Sequence, residues 1–312
     1  MSFHLHQDAQ PIIDAFVANG AKSFEKMGEI PALRTAYETN CGLAAMQGLV
    51  HIESQDVAEN HEGVTVKLRI YDTQLQVNEP RPTVIFIHGG GWVIGNLNTH
   101  DSVCRKIADV AQVRVIAIDY RLAPEHKFPV PYQDCKCALD YIIKNTDSLK
   151  VDPYRLVFCG DSAGANLAAH LGQNFYQTYD IPLKAQVLLY PVIGCFKDSK
   201  SYHTYQSGFP LVASTMHWFF DQLIESKNDE NSISLLNQPF NTKNGDIYLL
   251  TLEHDPLRDE ALLYLEKAIS NGLNVEYHHL QGLMHGIFTI AGKLPVAEQY
   301  LNQIGKYIAN KI

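Results

Sequence analysis

No apolar stretch in this 312-residue chain approaches the roughly 18 residues that a membrane-spanning helix needs. The stretch Met1–Pro11 has neither a basic start nor an apolar core, so no signal peptide is expected. Basic residues are in deficit: 25 Lys and Arg against 34 Asp and Glu leave a net charge of −9. That balance gives no electrostatic footprint for nucleic acid or an anionic membrane. Cysteine is sparse and unpaired in pattern. Cys41, Cys104, Cys135, Cys137, Cys159 and Cys195 are scattered, and no C-x-x-C occurs. Cys135 and Cys137, two residues apart on a helix, point to different faces. They are expected to be free thiols of a cytoplasmic protein rather than metal or redox ligands. There is no repeat or low-complexity tract.

What is present reads as globular. Hydrophobic residues make up 46% and glycine and proline are ordinary. The length suits two average domains or one α/β domain. The first fifty residues read as helical: Ile12, Ile13, Phe16 and Val17 form one stripe, and Pro31 suits the opening of a second helix through about Met46. Two strand-like runs follow, Val50–Ser54 and the alternating Val64–Tyr71. Short apolar runs then alternate with helical patterns. The runs are Thr83–Ile87, Val113–Ile118, Leu156–Cys159, Gln186–Tyr190, Ile247–Leu252 and Asn274–Leu280. Among the helical patterns, Ala163, Leu167, Leu171 and Phe175 recur every four residues, as do Val296, Tyr300, Ile304 and Ile308. Continuously apolar strands alternating with helices imply a parallel sheet covered on both faces. Chemistry in such sheets gathers at the carboxyl ends of the strands. Residues from about Cys195 to Asn244 break the alternation but carry Phe209, Leu211, Trp218, Phe219 and Phe220. This segment reads as a helical lid, packed with the N-terminal helices; an ordinary extension of the core is the other reading.

Two motifs carry chemistry. Gly160-Asp161-Ser162-Ala163-Gly164 places a serine on the turn between a buried-type strand and an amphipathic helix. A sharp turn there holds Ser162 out of the regular structure, above a helix N-terminus that favours negative charge. His88-Gly89-Gly90-Gly91 supplies backbone N–H groups with no side chains in the way. The amides of Gly90, Gly91 and Ala163 are candidate donors to an oxyanion. The loop lacks the P-loop lysine and the G-x-G-x-x-G spacing, so neither phosphate nor a cofactor is expected there. A serine hydroxyl needs a base. Of fourteen histidines, His285 stands between Gly282 and Gly286, past a strand and before the last helix. His278 and His279 lie within the strand, His254 precedes the acid candidate and is ill placed as a base, and His88 reads as structural. Asp255, before Pro256, is the acid that would orient the base, with Glu253 as runner-up. Asp259 and Glu260 fall in a first helical turn, where acids serve the helix dipole. The order Ser162, Asp255, His285 suits acyl transfer, most simply ester hydrolysis, without cofactor or metal.

With His88-Gly89-Gly90-Gly91-Trp92, Asp119-Tyr120-Arg121-Leu122-Ala123-Pro124-Glu125, Gly160-Asp161-Ser162-Ala163-Gly164, Asp255-Pro256-Leu257-Arg258-Asp259-Glu260 and His285-Gly286, the chain resembles the hormone-sensitive-lipase family of α/β-hydrolases. Within it, the chain is similar to the bacterial acetyl esterases. The resemblance runs from about residue 45 to the end. It implies an α/β-hydrolase fold with an eight-stranded, mostly parallel sheet flanked by helices. It also implies a helical cap from residues 1–45 and an insertion at about 195–244 over a catalytic domain spanning 46–312. The implied nucleophile, acid and base are Ser162, Asp255 and His285, with Gly90, Gly91 and Ala163 as oxyanion hole. Arg121 and Glu125 are expected to pair, and Tyr202, Gly208, Leu211, Met216, Trp218 and Phe219 fit the cap pattern. Ile287 stands where many relatives have phenylalanine, and 232–236 lacks a proline common near the cap's end; both bear on the acyl pocket. The expected partner is a small acyl ester, with acetyl to hexanoyl groups favoured over long chains. An amide or formamide substrate on the same residues, and a non-catalytic ligand-binding or regulatory module, are the rival readings. Monomer and homodimer both fit, and a regulatory protein partner stays open.

Overall fold

The computed structural model describes residues 3–312. Eight strands form one sheet: β1 (Glu53–His61), β2 (Val64–Asp72), β3 (Arg81–Ile87), β4 (Arg114–Ile118), β5 (Val151–Asp161), β6 (Ala185–Leu189), β7 (Asp246–His254) and β8 (Val275–Met284). Their order is β1-β2-β4-β3-β5-β6-β7-β8. The first two pairings are antiparallel and every later one is parallel. Every residue of β4 and β6 is buried, as helices on both faces of a parallel sheet require.

Eleven α-helices are described: α1 (Gln10–Ala18), α2 (Ile30–Leu43), α3 (Asp101–Ala111), α4 (Val130–Lys144), α5 (Thr146–Leu149), α6 (Ala163–Tyr179), α7 (Lys200–Thr204), α8 (Ala213–Leu223), α9 (Lys227–Ile233), α10 (Arg258–Ser270) and α11 (Pro295–Lys311). Alternate strand residues feed two cores. Ile85, Ile87, Ile116 and Phe158 face α4, α6 and α10 through Leu139, Leu167 and Tyr264. Val84, Phe86, Val115 and Val157 face α3 and α11 through Ile107, Leu301 and Ile304. Prolines stand in the first turns of α1 and α2, where a missing N–H costs nothing.

The segment from Cys195 to Asn244 is helical, as its composition suggests. Met216, Phe219, Phe220 and Leu223 share one buried face of α8. A capping box opens α9: Asp229 N–H donates to Ser226 Oγ, and Ser226 N–H donates to the Asp229 carboxylate at 2.9 Å. The segment meets the N-terminal helices, with the Phe24 ring 6.2 Å from that of Phe219.

Two expectations need correction. The strand expected over Val50–Ser54 starts at Glu53, and Val50 is exposed in the turn before it. β1 is an edge strand whose residues are mostly exposed and polar, so it carries little hydrophobic signal. Nor do Arg121 and Glu125 pair. Arg121 binds Asp134 of α4 at 2.7 Å, and Glu125 binds Arg34 of α2 at 2.7 Å.

Candidate active site

β5 runs into α6 through Ser162, whose φ of +54° and ψ of −121° put it outside both strand and helix geometry. The turn is held by Ser162 N–H donating to Leu189 O at 2.9 Å, and by Asn166 and Val192 N–H groups donating to Ser162 O. Gly164 passes so close to β3 that any Cβ there would overlap the Ile87 carbonyl. The serine is therefore presented by backbone constraint.

His285 lies just past β8 and Asp255 just past β7. His285 Nε2 is 2.9 Å from Ser162 Oγ, and His285 Nδ1 is 2.7 Å from Asp255 Oδ2. Leu257 N–H donates to the other Asp255 oxygen at 2.9 Å. With Nδ1 donating to the carboxylate, Nε2 is left to accept the serine hydrogen. The Tyr190 ring packs edge-on against the imidazole, 4.8 Å between centroids. Ser162, Asp255 and His285 are thus brought together. Glu253, the runner-up acid, instead accepts Gly282 N–H at 2.7 Å. Glu260 accepts Ile193 N–H, and His254 contacts the His4 carbonyl.

The glycine loop faces the serine across the same cavity. Gly90 (φ +116°) and Gly91 (φ +59°) line it beside Ser162 and His285. Their amide N–H groups and that of Ala163 have no hydrogen-bond acceptor among the described residues. Three free donors near a serine oxygen can stabilise a tetrahedral oxyanion.

Sequence reasoning passed over Asp161. This buried carboxylate accepts Gly89 N–H at 2.9 Å and lies 3.0 Å from His100 Nε2, so it ties the serine turn to the glycine loop. Burial would push its carboxyl up, but the His100 ring and the Gly89 N–H outweigh that and hold it below the usual carboxylate range. Its place inside the serine motif was a signal that could have found it. His100, 61 residues earlier, has none. His88 is structural as expected. It stacks on Tyr120 at 4.4 Å, and burial, reinforced by His100, pulls its pKa down to about 4.

The cavity holds about 460 Å³. Its walls are Ile12, Phe16, Leu43, Leu211, Phe219 and Ile290, with Asn19, Asn40 and Lys293 as polar lining. Ile287 is buried in the core and does not line it, and neither do residues 232–236, so the two departures from the family pattern do not shape its wall. A larger open cleft of about 750 Å³ lies beside Lys67, Asp119, Arg121 and His126, and none of the candidate residues borders it. No metal-binding cluster occurs among the described residues, and no described helix is long and apolar enough to cross a membrane. All six cysteines are free.

A profile described as the alpha/beta hydrolase fold matches residues 84–289. The chain belongs to the α/β-hydrolase fold family, in its hormone-sensitive-lipase-like branch. It is 32% identical over 262 residues to the carboxylesterase NlhH of Mycobacterium tuberculosis, covering 80% of this chain and 79% of that one. It is 29% identical over 246 residues to an ethyl acetate hydrolase of Pseudomonas putida, covering 77% of each. Among solved structures, an ester hydrolase from the metagenome of Lake Arreo, complexed with a bipyridine phosphonate derivative, superposes with a TM-score of 0.89 at 28% identity, covering 98% of each chain. This α/β-hydrolase is a carboxylic ester hydrolase.

Proposed function

We propose that the enzyme hydrolyses short-chain acyl esters through an acyl-serine intermediate. Ser162 is the nucleophile, His285 the base, Asp255 its orienting acid, and the amides of Gly90, Gly91 and Ala163 the oxyanion hole. The observation that carries this reading is the 2.9 Å contact of His285 Nε2 with Ser162 Oγ, continued by the 2.7 Å contact of Nδ1 with Asp255. His285 takes the serine proton as Oγ attacks the ester carbonyl. The tetrahedral oxygen draws on the three amides, and the same proton passes to the departing alcohol. Water then loses a proton to His285, attacks the acyl-serine and releases the acid.

Residues 1–45 and about 195–244 act as a cap on the catalytic domain, 46–312. The cavity supports the short-chain preference: its volume of about 460 Å³ must hold acyl and alcohol parts together. The ethyl acetate hydrolase relative points the same way. Free thiols, four of them buried, fit a reducing compartment, and the cytoplasm is the proposed location.

The test is turnover of p-nitrophenyl esters from acetate to palmitate, with matched amides, by wild type and Ser162→Ala. Hydrolysis peaking between acetate and hexanoate is expected, with Ser162→Ala losing at least about 10³-fold in kcat. A fluorophosphonate should add once to the wild type and not to the variant. A peak at long chains defeats the chain-length claim, and full activity in Ser162→Ala defeats the mechanism.

A further inference from the structure

The aim of Gly90 and Gly91 is set by what grips their loop, since glycine itself imposes little backbone preference. Two of those grips come from the segment after β4 and two from within the loop itself. Tyr120 Oη donates to His88 O at 2.9 Å, Ala123 N–H donates to Trp92 O at 2.9 Å, and Val93 and Ile94 N–H groups donate to Gly90 O at 3.1 and 2.9 Å. Asp161 holds Gly89 N–H from the serine turn, and a further grip comes from the N-terminal segment. Arg34, on α2 of the N-terminal segment, donates from Nε to Val93 O at 2.8 Å and from Nη2 to Ala123 O at 2.8 Å. Its two Nη groups also hold both oxygens of Glu125, at 2.8 and 2.7 Å. One planar guanidinium thereby spans the residue that closes the oxyanion loop and the residue hydrogen-bonded to that loop's Trp92.

We propose that Arg34 is a positioning residue for ester hydrolysis: its bonds to the Val93 and Ala123 carbonyls hold the Gly90 and Gly91 amides on the developing oxyanion. The proposal rests on the reading of those amides as the oxyanion hole. Two features favour the carbonyl clamp over the ion pair as the working part. Glu125 is 51% exposed, so water screens the ion pair. The carbonyl bonds are charge-assisted, part-buried and fixed by the fork geometry that only arginine supplies. The clamp also makes the N-terminal helices part of the catalytic geometry as well as the cavity wall.

Two variants with opposite losses test it in the full chain. Arg34→Lys keeps a charge for Glu125 but cannot reach both carbonyls at once. Glu125→Gln removes the ion pair and leaves the arginine fork on the carbonyls. The measurements are kcat and KM on p-nitrophenyl acetate and the Ki of phenylboronic acid, which becomes tetrahedral on the serine. For Arg34→Lys, kcat should fall about tenfold or more and boronate affinity by the same factor, with KM within about threefold, because donor misplacement acts on the transition state. Glu125→Gln should match wild type in all three. Arg34→Lys within about twofold of wild-type kcat overturns the proposal. So does an equal loss in Glu125→Gln, or boronate affinity that stays constant while kcat falls. Failure of the hydrolase reading is visible separately, since turnover would then survive Ser162→Ala.

Discussion

Glu260 and Asp161 are both fully buried carboxyls near the site, and their surroundings drive them in opposite directions. Asp161 meets His100 and an N–H donor and is held ionised. For Glu260, burial dominates and nearby Asp255 adds to it, so its pKa stands well above the usual range although Ile193 N–H donates to Oε1 at 2.7 Å. Its other oxygen has no partner among the described residues. Glu260 therefore holds its proton to higher pH in the folded protein than in the unfolded chain, where it ionises above about pH 4.3. Folding then takes up a proton, and stability falls as pH rises from that value toward the folded pKa. Glu260→Gln removes the penalty. In urea melts, the variant should gain on wild type as pH rises from about 4.5 to 7, by up to about 1.4 kcal/mol per pH unit. Parallel curves across that range would show that Glu260 is ionised in the fold.

At the scale of elements, the serine turn is packed main chain against main chain. A Cβ on Gly164 meets the Ile87 carbonyl and the His88 backbone, and a Cβ on Gly160 meets the backbone of Gly164. These neighbours are main chain at the end of β3 and in the first turn of α6, so nothing soft can yield. Gly164→Ala should lower the melting temperature by more than about 4 °C and cost most of the activity, because relief requires β3 and α6 to part. An unchanged melting temperature would mean the elbow is looser than its geometry. This tightness explains why the turn was legible in the sequence. Glycines flanking a serine, between the apolar β5 and the four-residue recurrence of α6, leave few other structures. β4 and β6 were legible because two-sided burial makes them apolar apart from Arg114 and Gln186. β1 was not, because an edge strand buries almost nothing. The pairing of Arg121 and Glu125 was misjudged for a different reason. Their true partners, Asp134 and Arg34, are set by how α4 and α2 dock, and Arg34 is 91 residues from Glu125. Side-chain pairing across layers leaves no local pattern.

On the scale of the whole molecule, the cavity lies between the sheet's carboxyl edge and a roof drawn from two distant stretches, α1 and α2 on one side and Pro210, Leu211 and Phe219 on the other. The roof is tied by Glu25, whose Oε1 accepts the Ser23 and Ser214 hydroxyls and whose Oε2 accepts Thr215, each at 2.7 Å. Burial opposes ionisation there, but the three hydroxyls outweigh it and lower the Glu25 pKa. The latch is thus formed at neutral pH and weakens as pH falls through the folded pKa, below the usual carboxylate range. It joins roof to roof, whereas Arg34 joins roof to loop. Loosening it should change access and not chemistry. Glu25→Ala removes a charged acceptor set worth about 1–3 kcal/mol, enough to raise the open population about tenfold. Limited proteolysis between α1 and α2, residues 19–29, should then quicken by a similar factor, because cleavage follows the open fraction. KM should rise while kcat holds, the reverse of the Arg34→Lys pattern. Equal cleavage rates in variant and wild type would show that the aromatic contact of Phe24 with Phe219 holds the roof without the latch.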